Sequence, residues 1–161
     1  MGAITGKEGV ASFSTADYVA PPLVPANTYN GFVKNVKLTD ARLMWAIELD
    51  ANDGSFCDDG ETPVDGNVIF VNCWLPLEGD DQEFQSKAGK PYEGGVSRHQ
   101  FKVNQLARFA LAMRIDQITS DGLDQAIANG DYLDKEVTVV VKHEEYNGST
   151  SVQGDRLKAR S

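Results

Sequence analysis

SRHQFKVNQLARFALAM, residues 97–113, reads as an amphipathic helix, and what stands on either side of it decides the architecture. Ser97 precedes Gln100 by three residues, the spacing of a capping box. Val103, Leu106, Phe109, Ala110 and Met113 recur at three and four, making one apolar stripe. Upstream, the periodic segments alternate with a period of two. TYNGFVKNVKL (28–38) is expected as a first strand, with Gly31 and its mixed faces marking a bend or bulge. After Thr39-Asp40-Ala41, RLMWAIELD (42–50) places Leu43, Trp45, Ile47 and Leu49 on one face, so Trp45 is expected in the core. ANDGSFCDDGETPVDG (51–66) is a loop by its turn residues. GNVIFVNCWLPL (66–77) follows as a third strand, with Ile69, Val71, Cys73 and Leu75 on one face and Phe70, Asn72 and Trp74 on the other.

Downstream, a shorter helix is expected over Ser120–Asn129, with Ser120 as N-cap and Gly130 as its stop. EVTVVVKHEEY (136–146), the hairpin dipeptide Asn147-Gly148 and STSVQGDRLKA (149–159) then read as two paired strands. Residues 77–96, with Gly79, Gly89, Pro91, Gly94 and Gly95, read as a long mobile loop. Residues 1–27, with the run Pro21-Pro22-Leu23-Val24-Pro25, read as an extended N-terminal arm, leaving 28–161 as a single domain. Three strands, a helical segment and a two-stranded hairpin is the connectivity of an OB-fold, a five-stranded barrel with its helix between strands three and four. The expected class is therefore mainly β. A β-sandwich leaves the interposed helix unexplained. A ferredoxin-like fold needs a helix after the first strand, where only Thr39-Asp40-Ala41 intervene.

The chain has 161 residues, 41% hydrophobic and 24% charged, the composition of a globular domain. Mean hydropathy is −0.35, and no apolar run approaches the roughly 18 residues of a membrane span. MGAITGKEGVASFS has no apolar h-region, so no signal peptide is expected. Gly2 meets part of a myristoylation pattern, but Thr5 and Gly6 leave its hydroxyl position unfilled. Two cysteines, Cys57 and Cys73, suit a reducing compartment. Net charge is −9, which argues against attraction of nucleic acid by the whole surface. The charges are segregated, however. Twelve of the 24 acids lie between Asp40 and Glu83, where the only base is Arg42.

Several stretches resemble a family of small phage-encoded OB-fold proteins regarded as single-stranded DNA-binding proteins. VPANTYNGFVKNVKL is similar to the family's Pro-x-Gly-x-Tyr lead into the first strand, with Asn27 where Gly is usual. LMWAIELD, VDGNVIFVNCWLPL and LARFALAMRID resemble its second strand, third strand and helix. YLDKEVTVVVKHEEYNG resembles its Leu-x-Gly-Lys lead and hairpin, with Asp134 in the Gly position. The likeness covers about residues 24–159. One departure is at the end: many replication-type members finish in an acidic tail that recruits partners, whereas GDRLKARS is basic.

The resemblance implies non-sequence-specific binding of single-stranded DNA in phage replication or recombination, in the host cytoplasm. Its partners would be DNA, phage or host replication and recombination proteins, and a second copy of the chain; no membrane and no cofactor are implied. The residues fit that chemistry on two counts. Phe70 and Trp74 face outward if the other face of their strand fills the core, and bases stack on such rings for roughly 1–3 kcal/mol each. Lys34, Lys37, Arg42, Lys142, Arg156 and Lys158 lie on strands that an OB topology brings together, where they would neutralise phosphates. Lys87, Lys90 and Tyr92, in the loop that ends at Arg98, could fold over bound strand. The opposing expectations are that the helix, the arm or a second subunit covers the aromatics, and that the lysines guard sheet edges. The rival function is an OB-fold protein-interaction module that docks a partner or its own copy without binding DNA. Catalysis is not expected: Walker-type loop, nucleophile elbow and His-Glu-x-x-His are all absent from the sequence. Cys57, Cys73, His99 and His143 lack zinc spacing. Asp50, Asn52 and Glu61 suggest a calcium loop only superficially, because Ser55 stands where the sixth-position Gly is required.

Overall fold

Period-two alternation builds a single antiparallel sheet in the order β3-β2-β1-β4-β5. The strands are β1 (Asn27–Thr39), β2 (Arg42–Leu49), β3 (Val68–Trp74), β4 (Glu136–Tyr146) and β5 (Ser149–Ala159). Helices α1 (Arg98–Ala112) and α2 (Leu123–Asn129) fall between β3 and β4. This computed structural model describes residue 6 and residues 8–160, so Gly2 and its lipidation pattern lie outside the described residues, as does part of the arm. The class is mainly β, and the interposed helix is where the sequence placed it.

The inner face is the core. Leu43, Trp45 and Ile47 of β2, Val71 and Cys73 of β3, and Val137 and Val139 of β4 are all fully buried. Trp45 lies 5.3 Å from the ring of Phe109 on α1 and 5.4 Å from that of Tyr132. Its indole N–H, which would otherwise be stranded, donates to Cys73 Sγ at 3.3 Å. The helix thus caps the sheet through the stripe expected of it, with Leu106, Phe109, Ala110 and Met113 buried. Val103 departs from the stripe and stays partly exposed.

The irregularity in β1 sits three residues beyond Gly31. Val33 faces Ile47 and Asn35 faces Ala46, so Lys34 is an extra residue, a β-bulge. Its effect is to turn Lys34 and Asn35 out together and return Val36 to the core. Gly31 is there for a different reason. A Cβ on it would stand 2.5 Å from Glu48 O on β2. Gly154 in β5 is a second such contact, since a Cβ there would lie 2.3 Å from Val71 Cγ2 and 3.0 Å from Phe70 O. The last strand therefore lies directly against β3, curling the two edges of the sheet toward each other in a way compatible with a barrel.

Asn147 and Gly148 turn the β4–β5 hairpin at φ 50° and 80°, as their dipeptide demands. Asp40 and Ala41 make the same kind of turn between β1 and β2, at φ 51° and 60°, without the residues that advertise it. Ser97 caps α1, accepting from Gln100 N at 3.1 Å. The Gln100 side chain goes to Asn104 rather than back to the cap. The second helix begins at Leu123, not after Ser120, because Thr119 Oγ1 accepts from Gly122 N and holds a turn ahead of it. Gly130 ends it at φ 72°.

The arm runs exposed through residues 8–22, with Phe13, Tyr18 and Val19 uncovered. It docks at Leu23 and Val24, short of the boundary expected at residue 27. Leu23 exchanges hydrogen bonds with Asp58, and buried Val24 offers its carbonyl to His143 Nε2 at 2.7 Å.

Candidate nucleic-acid interface

The outer face of β3 carries Phe70 and Trp74, 49% and 47% exposed, so neither the helix nor the described part of the arm covers them. Cross-strand register supplies their surroundings. Trp74 faces Arg42, Asn72 faces Met44, and Phe70 faces Ala46 on β2. One strand further, Thr39 faces Arg42, Lys37 faces Met44 and Asn35 faces Ala46. The two aromatics, Arg42, Lys37 and, through the bulge, Lys34 therefore share one face. Four residues of strand set the rings about 13 Å apart. Lys34 is matched by Glu48 at 3.2 Å. Among the described residues, Lys37 and Arg42 make no salt bridge, so their charge is available to a ligand.

The bases of the hairpin stand on β4 and β5. Lys142 faces Gln153, Arg156 faces Val140 and Lys158 faces Thr138. They were expected to converge with the first group because β1 pairs with β4. That pairing extends only from Asn27 to Phe32 and stops before the bulge, so Lys34, Lys37 and Arg42 lie beyond it. Part of this second group is also neutralised internally. Lys142 contacts Glu144 at 3.1 Å and Asp155 at 3.5 Å, and Arg156 contacts Asp155 at 3.3 Å. The hydrogen bond to Glu144, then the nearby acids, hold the Lys142 ammonium charged to higher pH than usual.

The loop over residues 77–96 is tied down against α1. Buried Asp80 accepts from Leu77 N at 2.8 Å and from Lys102 Nζ at 2.7 Å, with Arg98 NH1 at 4.0 Å. The bond from Lys102, then that from Leu77, hold its carboxyl below the ordinary aspartate range. Tyr92 stacks on Phe101 of α1 at 4.6 Å, and its hydroxyl accepts from Arg98 Nε at 3.1 Å. Its ring is committed to the helix, while Lys87 and Lys90 stand exposed on the loop. The Asp80 anchor had no signal in the sequence, since its partner Lys102 is 22 residues away in an unrelated segment.

A second surface feature is a groove of about 720 Å³ beside α1, lined by Leu75, Pro76, Val103, Leu106, Leu111 and Ile118. It is apolar where the β3 face is mixed. Among the described residues no group of three His, Cys, Asp or Glu is placed to hold a metal. Asn52 instead bonds both ways with the backbone of Asn30, and Asp50 pairs with Arg160 at 2.8 Å. Burial pushes the Cys73 thiol up to about 11.

No protein-family model matches the chain, and no curated protein matches it.

Proposed function

We propose that the protein is an OB-fold, single-stranded DNA-binding protein without strong sequence preference. The observation that carries this reading is the pair Phe70 and Trp74, half-exposed on one strand face beside the unmatched charges of Lys37 and Arg42. Aromatic platforms accept any base, and adjacent cations hold the phosphates. The sheet order and the approach of β5 to β3 support a closed barrel of OB type. The resemblance to phage-encoded proteins puts the activity in phage DNA replication or recombination within the host cytoplasm. It needs no catalytic residue and no cofactor.

The apolar groove beside α1 favours a second reading, an interaction module that docks another protein. Tryptophan fluorescence separates the two. Of the two tryptophans, Trp45 is fully buried and Trp74 half-exposed, so a ligand stacking on β3 quenches only part of the emission. Titration with oligo-dT is expected to quench that part, less at higher salt, while a matched duplex does not. Trp74→Ala should abolish the quenching and weaken binding about 5- to 150-fold, the factor that 1–3 kcal/mol of stacking represents. Absence of quenching and of binding at low salt would sink the DNA reading and leave the docking module.

A further inference from the structure

Two apolar surfaces of this chain stand uncovered. One is the groove of about 720 Å³ beside α1, walled by Leu75 and Pro76 after β3 and by Leu111 of the helix. The other is the arm, where Phe13, Tyr18 and Val19 are each at least 75% exposed. The arm is not featureless there. Ser14 Oγ accepts from Ala16 N at 3.1 Å and caps a turn of 3-10 helix, Thr15–Asp17, that buries none of its residues. Phe13 and Tyr18 flank that turn, so a short, already turned segment holds two large rings out in water. A turn formed in advance lowers the ordering cost of docking. Moving such rings from water onto apolar walls is favourable in proportion to the area covered.

The root of the arm decides whose groove it fills. Asp58 N donates to Leu23 O at 2.9 Å, and Asn67 Nδ2 donates to the neighbouring Cys57 Sγ at 3.9 Å, so the root lies at the entry to β3. The Leu75–Pro76 wall of the groove is just past the other end of that strand. Eight residues of extended chain set Asn67 and Leu75 about 26 Å apart. Five residues, from Leu23 back to Tyr18, reach at most about 18 Å. Tyr18 and Val19 therefore fall short of that wall in their own molecule, whereas a second copy can bring them to it. We propose that two copies of this chain pair by exchanging arms, the Phe13–Val19 segment of each seated in the α1 groove of the other. The exchange is reciprocal, so the pair closes on itself. Four exchanged aromatics bury about 150–250 Å² each. With the walls they cover, the interface passes about 1,000 Å², the area a specific pairing needs. Neither Phe70 nor Trp74 lines the groove, so the pairing does not depend on what β3 binds.

Sedimentation of the full chain, at concentrations rising to about 100 μM, tests the exchange. The wild type is expected to pass from monomer to dimer. Two variants change exposed side chains that the fold does not use: Phe13→Ser combined with Tyr18→Ser, and Leu111→Glu, at a position 71% exposed. Each should weaken dimerisation about 100-fold or more, because it removes apolar anchors from both exchanged contacts. Tm should stay within about 2 °C of the wild type, as for other surface substitutions. Both losses are required. A dimer that survives without the two rings is made through the grooves or another face. One that survives Leu111→Glu is made without the groove. Either result overturns the proposal, as does a wild type that stays monomeric throughout. Trp74 quenching by oligo-dT, read on the same samples, reports on the β3 face alone, so failure of the pairing and failure of the DNA reading are told apart.

Discussion

Removing the Asp80 carboxylate tests whether the 77–96 loop is held as its contacts imply. Asp80→Ala deletes the acceptor of Leu77 N, the partner of Lys102 at 2.7 Å and the neighbour of Arg98. It leaves Lys102, whose side chain is 14% exposed, without its counter-ion. Breaking a buried pair on one side costs about 3–5 kcal/mol, whereas an exposed pair contributes about 0–1 kcal/mol. Here the carboxyl is shielded from water, but only by a thin layer of loop close to the surface, and the long lysine can reach solvent. About 2–3 kcal/mol is the expected loss. For a chain of this size that lowers Tm by about 4–12 °C. The pH dependence follows from the depressed carboxyl. Its folded value lies below its unfolded one, so its stabilisation is complete above the unfolded value, near 4, and is lost as pH falls through the folded value. Thermal melts should show a gap between wild type and variant that is constant from neutral pH down to about 5 and closes in stronger acid. Trypsin should cut the variant faster after Lys87, which lies in the released loop. A Tm change below about 1 °C at neutral pH, or a gap unaltered in strong acid, would refute the reasoning.

Other expectations follow from the same geometry. With its thiol pushed up to about 11 and fully buried, Cys73 should resist thiol-reactive reagents at pH near 8 in the folded protein and react once denaturant is added. Cys57, buried and also raised, should behave alike. If Lys37 and Arg42 contact phosphates, replacing either with Ala should reduce the slope of log affinity against log salt by about 0.7, measured with oligo-dT. Lys34→Ala should change it less, since Glu48 already compensates that charge at 3.2 Å.

The strands and the long helix were legible because burial on one side writes a period into the residues: β4 and β5 begin and end where the sequence put them. What was not legible depends on residues far apart. The bulge at Lys34 is set by the pairing of β1 with β2, and no local signal distinguishes it from one at Gly31. The turn at Asp40-Ala41 carries no glycine, so it read as a bare link until the register closed it. The outward placement of Phe70 and Trp74 followed from period two, but which bases join them did not. Register, not composition, sets Lys37 and Arg42 beside the rings through the β1–β2–β3 pairing, with Lys142, Arg156 and Lys158 on the β4–β5 pair. Tyr92 shows the same limit, since only the folded loop reveals that its ring is spent on Phe101.

The register also bears on how a chain of net charge −9 could attract a polyanion. The β2–β3 pair runs from Arg42 and Trp74 at one end to Glu48 and Val68 at the other, and the acidic 51–66 loop continues from the second end. Six residues of β3 separate those ends by about 20 Å, more than twice the roughly 8 Å over which charges are felt at physiological salt. The acids of that loop therefore do little to cancel Arg42 and Lys37 beside Trp74. Asp40, in the adjoining turn, offsets part of that charge, whereas Asp80 is already matched by Lys102. The positive patch is real but small. With two unmatched cations beside two exposed rings, stacking must supply more of the affinity than charge, and binding should weaken only shallowly with salt. A steep dependence, on the order of the slope expected for six or more phosphate contacts, would mean that the hairpin bases or Lys87 and Lys90 join the groove when DNA is bound.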